Sequence, residues 1–395
     1  MNTKSLGANL MVTLKADVVM LGIGLSTCSL AMALLKQGYR GHIVMLEKER
    51  YVDNNKTWCF WEGEYIPTYL RPIVSKTWAS WKIADTIHAV TTGDQGYSCI
   101  KAVDFFSHCL ETFKAASNVT LVFGADVTNT GHNDRCVTAC YDGYLVEATI
   151  GFDSRHHMPS ESMPDGMLQC FSGAWVSSSS PLFSDNVADL MVDMKTIEQG
   201  IEFIYVLPFD VNYALIEVTQ FSSQLPSKTC LEEKVLSSVG NMGLMKEDIV
   251  SWEHGVLPMA TENIALSTSQ HGKPPGNSGW QSIGIRGHNI RAATGYAFIS
   301  IQRASEHFAQ QIIKGGAVTP FKSPRRYHWL DKVFLKVLRN RPDMAVEIFS
   351  RMARGTSPEQ FSRFMTERAT VADIVSVINS MPKRVFLSAA IGMMR

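Results

Sequence analysis

The sequence is short of net charge, of paired cysteines and of long apolar runs, and each shortage excludes something. Its 37 basic and 37 acidic residues cancel to zero over 395 residues, and charged residues make up only 19%. Nucleic-acid binders concentrate positive charge on one face, so no nucleic-acid partner is expected. The eight cysteines (Cys28, Cys59, Cys99, Cys109, Cys136, Cys140, Cys170 and Cys230) contain no Cys-x-x-Cys pair. Cys136 and Cys140 have no second pair nearby to complete a zinc site, so no metal is expected. The cysteines read as reduced thiols of a cytoplasmic protein, mostly filling core. No apolar stretch reaches the about 18 residues of a spanning helix, and any membrane contact is expected to be peripheral, at the inner face. The N-terminal MNTKSLGANLMVTLK lacks the small-residue cleavage site of a secretory signal. Internal repeats and low-complexity tracts are missing as well.

What the sequence has is a nucleotide-binding opening. Residues 16–49, ADVVMLGIGLSTCSLAMALLKQGYRGHIVMLEKE, read as a buried strand, a glycine turn, a helix ending at Gly38, a second strand and an acid. In a Gly-x-Gly-x-x-Gly turn the first glycine permits the bend, the second admits a pyrophosphate, and the third lets helix and strand pack closely. Gly22 and Gly24 keep the first two roles, and Thr27 stands in the third. The amides of Leu25 and Ser26, at the helix start, point toward the phosphates. Glu47, followed by Lys48, sits where an acid takes ribose hydroxyls. An acid there favours an unphosphorylated ribose, as in FAD or NAD, without choosing between them.

The rest of the chain suggests four parts: a nucleotide-binding first part (1–155), a β-rich substrate domain (156–278), a return to the nucleotide domain (279–322) and a helical tail (323–395). YALIEVTQFS pairs with GIEFIYVLPFD in a hairpin around Asp210–Asn212. The late segment SIGIRGHNIRAATGYAFISIQRASEHFAQQI has the strand, glycine turn and helix with which FAD proteins of this architecture return to their cofactor. The Gly-Asp of most FAD hydroxylases is replaced there by Ile-Gly-Ile-Arg-Gly, with Gly284 and Arg286. The FDSR stretch ending at Arg155 is similar to the Asp-Ala-Arg-Gly that closes an FAD strand, or is a simple strand end.

Four motifs, LGIGLSTCSLAMALL, NNKTWCFW, VLPFDVNYALIEVTQFS and SIGIRGHNIRAATGYAF, occur in the order and spacing of bacterial lycopene cyclases. The helical tail, with ADIVSVINSMPKRVFLSAA, is also similar, so the resemblance spans nearly the whole chain. It implies an α/β fold: an FAD/NAD(P)-binding, Rossmann-like three-layer domain with an inserted antiparallel sheet and a helical C-terminal region. It implies reduced FAD, kept reduced by NAD(P)H, a hydrophobic polyene or isoprenoid substrate, and peripheral residence on a membrane surface. It also implies an isomerase-type activity, closing β-rings at the ends of a linear carotenoid without net redox change. The chain departs from the family in two places: an acid neighbouring Glu217 is replaced by Val218, and the family's His-Pro before Thr-Gly-Tyr is Arg291-Ala292.

Ring closure needs a proton delivered to an alkene, a guided carbocation and exclusion of water. A carboxylic acid kept neutral in an apolar pocket supplies the proton. Glu217 is the candidate; Leu215, Glu217 and Thr219 share one strand face. The alternatives are a solvent-facing glutamate on a one-sided sheet, or one that only hydrogen-bonds the flavin. Asn55, Thr57, Trp58, Phe60 and Trp61 form either core under a loop or an aromatic wall beside the flavin, with Trp58 the cofactor contact. At the late turn, Gly284, Thr294, Gly295 and Tyr296 are cofactor candidates, and Arg286 and Arg291 candidates for the pyrophosphate or an anionic flavin. Between residues 324 and 342 a basic amphipathic helix reads as a membrane-surface element or as a helix packed on the body. An FAD-dependent monooxygenase, a prenyl reductase, and an inactive flavin- or lipid-binding relative stay open as alternatives.

Overall fold

The computed structural model describes residues 12–394 apart from 53–54, 64–65, 91–95, 156–165 and 262–278. Most of the N-terminal segment discussed above and of the loop before Gly279 therefore lie outside the described residues. The chain begins with β1 (Val12–Leu21), α1 (Leu25–Lys36) and β2 (Ile43–Glu47), followed by β3 (Thr57–Trp61), β4 (Lys76–Trp78), β5 (Ser80–Ile83), β6 (Thr86–Ala89) and β7 (Tyr97–Lys101). Then come α2 (Ala102–Ala115), β8 (Val119–Phe123), β9 (Asn129–His132), β10 (Val137–Tyr141) and β11 (Tyr144–Asp153). Four long strands, β12 (Met167–Ser177), β13 (Val187–Ile197), β14 (Gly200–Pro208) and β15 (Tyr213–Ser222), lead to α3 (Lys228–Asn241) and β16 (Ile249–Met259). After β17 (Trp280–Ser282) the chain is helical: α4 (Phe298–Ile313), α5 (Arg325–Asn340), α6 (Ala345–Arg354), α7 (Pro358–Met365), α8 (Val371–Ser380) and α9 (Lys383–Met394).

The first sheet runs β8-β2-β1-β11-β10-β9, with β17 on β11. Its centre is parallel, and the apolar runs VVML and IVML are buried on both faces, as central strands of a helix-covered sheet must be. On its edge away from β1 the long β11 serves two neighbours: Tyr144–Ala148 pairs antiparallel with β10, and Gly151–Asp153 pairs in parallel with β17. Trp280 needs the glycine at 151, because a Cβ there would lie 2.3 Å from its ring. Asp142 and Gly143, both at positive φ, make the tight turn between β10 and β11 that an Asp-Gly pair favours. Helix α1 lies across this sheet, buried from Ser26 to Leu34, and packs on α4.

The second sheet runs β16-β12-β15-β14-β13-β5-β6 and is antiparallel except where β13 meets β5. Strands β5 and β6 thus come from inside the first 155 residues to complete it. Strands β3, β7 and β4 form a small third sheet. Alternation along β15 sends Ala214, Ile216 and Val218 toward Leu231, Val235 and Val239 of α3, while Leu215 and Phe221 join Phe349 and Met352 of α6 on the other side. The second sheet is therefore covered on both faces, which overturns the reading of Glu217 as a solvent-facing glutamate. Each Val, Leu, Ile, Phe or Met side chain taken out of water in this way contributes roughly 1.5–3 kcal/mol.

The tail is broken into five α-helices among the described residues. Pro358 starts α7 behind a Ser357–Gln360 capping box, and Thr370 caps α8 with Asp373. Helix α5 buries Tyr327, Val333, Leu335, Val337 and Leu338 against the body and turns Trp329 outward. Among the described residues no single helix is long and apolar enough to cross a membrane; α8 and α9 together reach that length but meet at 112°.

Candidate functional site

The nucleotide turn is assembled as its residue types demand. Gly22 sits at φ +86°, and a Cβ added at Gly24 would meet nothing within 4 Å, so the backbone there faces open space. Thr27, in the third glycine's place, donates its hydroxyl to the Gly22 carbonyl at 2.7 Å and accepts the Gly24 amide at 3.0 Å. A small hydroxyl residue is thus accommodated in the third place and fastens the turn. Glu47 accepts the Ile23 amide at 2.7 Å and the Glu49 amide at 3.0 Å, which fixes the acid beside the turn with lone pairs left for ribose hydroxyls. Lys48 points to solvent beside Glu49, 3.5 Å away, and is not brought into the turn.

The late turn closes over the same place. Gly284 is at φ +65° and packs on the start of α1: a Cβ there would lie 2.7 Å from Ser26 Oγ. Asn289 shapes it, its Oδ1 accepting the Gly284 amide and its own amide donating to the Gly284 carbonyl, both at 2.9 Å. From the end of β11, Ser154 donates to the Leu21 carbonyl. Arg155 pairs with Asp153 at 3.0 Å, and Arg286 approaches the same aspartate at 3.7 Å and donates to the Arg155 carbonyl. Two cations therefore stand where the two turns meet. Arg291 does not join them. It is 5% exposed, pairs with Asp331 of α5 at 3.2 Å, donates to the Phe364 carbonyl and lies over the Tyr327 and Phe364 rings. The expectation that Arg291 meets a pyrophosphate or flavin is corrected: it ties the late turn to the helical tail. Gly295, at φ +70°, is required by Gln169 of β12, whose Oε1 would lie 1.8 Å from a Cβ. That buried Oε1 has no hydrogen-bond partner among the described residues, an acceptor facing the late turn that fits an N–H of a flavin ring.

Between the second sheet and the tail helices lies an apolar cavity of about 370 Å³, walled by Trp61, Tyr205, Phe221, Tyr296, Phe349 and Phe361. Arg291, Ala293 and Thr294 reach its edge. Trp61 is the aromatic wall; its ring lies 5.1 Å from Tyr296 and 5.6 Å from Phe361. Trp58 does not line this cavity. It packs on Phe105, Phe106 and Phe298 in the core of the nucleotide domain.

Glu217 is 9% exposed and stands just behind the cavity wall, opposite Tyr205 on β14. Tyr296 hydrogen-bonds Tyr97 at 2.9 Å, and Tyr205 and Tyr296, both on the cavity wall, feel the charge of Glu217. Burial pushes all three phenols up, keeping them neutral. Glu217 has a partner that no motif announced. Gly173 on β12 pairs with Glu217 on one side and with Glu253 of β16 on the other. A Cβ at 173 would lie 3.3 Å from both Glu217 Cβ and Glu253 Cγ, so the missing side chain lets two carboxyls meet over the strand. Burial, and then the charge of Glu253, push Glu217 up to about 8; the 2.8 Å hydrogen bond from Thr219 works against them. Burial raises Glu253 too, opposed by hydrogen bonds from Thr57 at 2.8 Å and Trp175 at 3.3 Å and by the charge of Lys101. One proton shared by the pair is the stable state at neutral pH, and Glu217 is the better place for it. The sequence signal for Glu253 was faint: one acid in an ordinary strand, SWEHGVL, with nothing near it in sequence to suggest a partner.

The family model described as lycopene cyclase protein matches residues 17–391. The chain is 22% identical over 383 residues to lycopene beta-cyclase of Pseudescherichia vulneris and 22% identical over 394 residues to lycopene beta-cyclase of Paracoccus sp. (strain N81106 / MBIC 01143). Each comparison covers 93% of this chain and 94% of the relative. Among solved structures, a geranylgeranyl bacteriochlorophyll reductase-like protein of Thermoplasma acidophilum is similar in fold, with a TM-score of 0.60 and 14% identity over 95% of this chain and 98% of its own. The match over nearly the whole chain, on a flavoprotein-type fold with both nucleotide turns in place, shows that the chain belongs to the lycopene cyclase family.

Proposed function

We propose that this protein closes a ring at the end of a linear, apolar polyene by proton transfer from Glu217, with reduced FAD bound and no net oxidation or reduction. The observation that carries the reading is a buried carboxyl, raised toward its protonated form, behind the wall of a cavity lined almost wholly by apolar side chains. In the step itself the Glu217 O–H bond breaks and a C–H bond forms at the terminal alkene. The next alkene's π pair closes the ring, and a ring proton is returned to the Glu217 carboxylate, so the acid is regenerated and the product is an isomer of the substrate. Trp61, Phe221 and Phe361 exclude water that would trap the cation, and aromatic faces stabilise it. The Tyr205 and Tyr296 hydroxyls, close to Glu217 on the cavity wall, would relay its proton, each taking up one proton as it gives up its own.

The amides after Gly22 and Gly24, at Leu25 and Ser26, would hold the pyrophosphate, with Arg155 and Arg286 beside it. Glu47 would hold the ribose, and Gln169 and the Gly284–Tyr296 turn the ring system. When bound, reduced FAD supplies an electron-rich ring beside the developing positive charge.

The substrate is proposed to enter from a membrane. Trp329, Ile378 and Leu387 border the cavity and are exposed, and Val371, Val375 and Ile391 extend this apolar surface along α8 and α9, with Lys383 and Arg384 beside them. Such a surface suits an anionic bilayer. Sedimentation with anionic vesicles should fall on Leu387→Ser with Ile391→Ser; equal binding by that variant removes this part of the proposal.

The deciding experiment is anaerobic incubation with lycopene, FAD and NAD(P)H. A product of unchanged mass, formed without stoichiometric nicotinamide consumption, is expected, and Glu217→Gln should lose about 100-fold or more of the rate. Stoichiometric consumption with a product two hydrogens heavier would mean prenyl reduction instead.

A further inference from the structure

We propose that Glu253 is a positioning residue for the acid: its carboxylate, held across Gly173, keeps the shared proton on Glu217. The inference rests on the reading of Glu217 as the proton donor and adds to it a second residue from another strand.

Three observations carry it. First, the contact is built into the sheet. Glu217 and Glu253 occupy registered positions on the two neighbours of β12, and the residue between them has no side chain. Any larger residue at 173 would press on Leu215 Cδ1 at 2.9 Å and on both glutamates. Second, the two carboxyls are equipped differently. Glu253 accepts from Thr57 and from the Trp175 indole, and Lys101 adds positive charge nearby. Lys101 is itself held among the Trp175, Phe209 and Tyr213 rings, 4.4, 4.5 and 5.2 Å from their centroids. Glu217 receives a single side-chain hydroxyl, that of Thr219. Donors and a cation favour the anion, so the charge settles on Glu253 and the proton on Glu217. Third, both groups are buried, Glu253 at 3% exposure and Glu217 at 9%, where two adjacent anions are costly.

The groups that face the pair are Thr219 from Glu217's own strand, Tyr205 from β14, Trp175 from β12, Thr57 and Cys59 from β3, Lys101 from the end of β7 and Tyr296 from the late turn. The phenols and the thiol are pushed up and stay neutral near pH 7. The ionisation that sets Glu217's proton affinity is thus that of Glu253, with Lys101 acting on Glu253.

The test uses the full chain and two readouts. Infrared difference titration follows the protonated-carboxyl C=O band without substrate, and the pH–rate profile follows conversion of lycopene. In the wild type a carboxyl band should persist through neutral pH and vanish in Glu217→Gln. In Glu253→Gln, whose amide oxygen still accepts from Thr57 and Trp175, the band's midpoint should fall by a unit or more. The rate should keep its low-pH plateau within a few-fold and fall increasingly below the wild type as pH rises, by about tenfold above the old midpoint for a one-unit shift. An unshifted infrared midpoint in Glu253→Gln overturns the proposal. If Glu253→Gln does not fold, Thr57→Val removes one donor from Glu253 and should shrink the Glu217 band as the proton moves to its partner; an unchanged band overturns it equally. If the band shifts as expected but Glu217→Gln still converts lycopene at full rate, the pairing stands and the functional reading fails.

Discussion

The nucleotide turn and the carboxyl pair are both built around glycines and threonine hydroxyls, yet they are assembled in opposite ways. At the turn, Gly22, Gly24, Thr27 and Glu47 lie within 26 residues, and each contact closes within one strand–helix–strand unit. At the pair, Thr57, Lys101, Gly173, Glu217 and Glu253 come from five strands spread over almost 200 residues. A local site is fixed by backbone conformation, so its chemistry shows in a short stretch. A dispersed site is fixed by sheet register, and its electrostatics follow from which side chains that register brings face to face.

The comparison can be broken at several points. The largest effect is expected at the late turn, which belongs to both regions. Asp331→Ala leaves the Arg291 guanidinium buried without its carboxylate, a loss of about 3–5 kcal/mol. Denaturant unfolding should show it, and a loss under 1 kcal/mol would mean that Arg291 is solvated and the tail is not tied through it.

The next effect separates the regions by pH. Glu217 is raised from its ordinary 4.5 to about 8 in the folded state. The folded state therefore binds the proton more tightly than the unfolded chain, and the stability linked to this site is complete below about pH 4.5. It is lost as pH rises toward 8 and is constant above. Glu217→Gln removes that dependence, so its denaturation midpoint should gain on the wild type between pH 5 and pH 9. A difference that stayed flat across that range would mean Glu217 is not protonated in the folded protein.

The smallest effect belongs to the turn. Thr27→Val keeps the shape but removes the hydroxyl's bonds to Gly22 and Gly24, worth about 1 kcal/mol. FAD binding, followed by flavin fluorescence, should weaken roughly fivefold with no change in the Glu217 titration; an unaltered affinity would make Thr27 a packing residue only.

The legible part of the protein follows the same division. Strand, turn, helix and acid at residues 16–47 were readable because a positive-φ glycine, a helix start and an apolar run leave marks within a few residues of one another. The hairpin at Asp210–Asn212 was readable for the same reason. Glu217 was readable as an acid on an apolar strand, but whether it faced water was not, since that depends on α6 and α7 covering the sheet. Arg291 looked like a cofactor arginine because it lies five residues beyond Arg286; only packing shows that one reaches Asp153 and the other Asp331. Thr27 was readable as the residue in the third glycine's place, but that its hydroxyl closes the turn shows only in the structure.

By itself, then, the sequence determined the nucleotide-binding frame, the strand that carries the acid and the family resemblance, all of which reside in contiguous residues. Tertiary structure decided that Trp61 rather than Trp58 walls the cavity, that Arg291 anchors the tail, and that Glu217 shares its site with Glu253. The physical reason is that burial and charge are properties of what surrounds a group. For Glu217 the decisive neighbour lies 36 residues away along the chain but two strands across the sheet, with only the Cα hydrogens of Gly173 between.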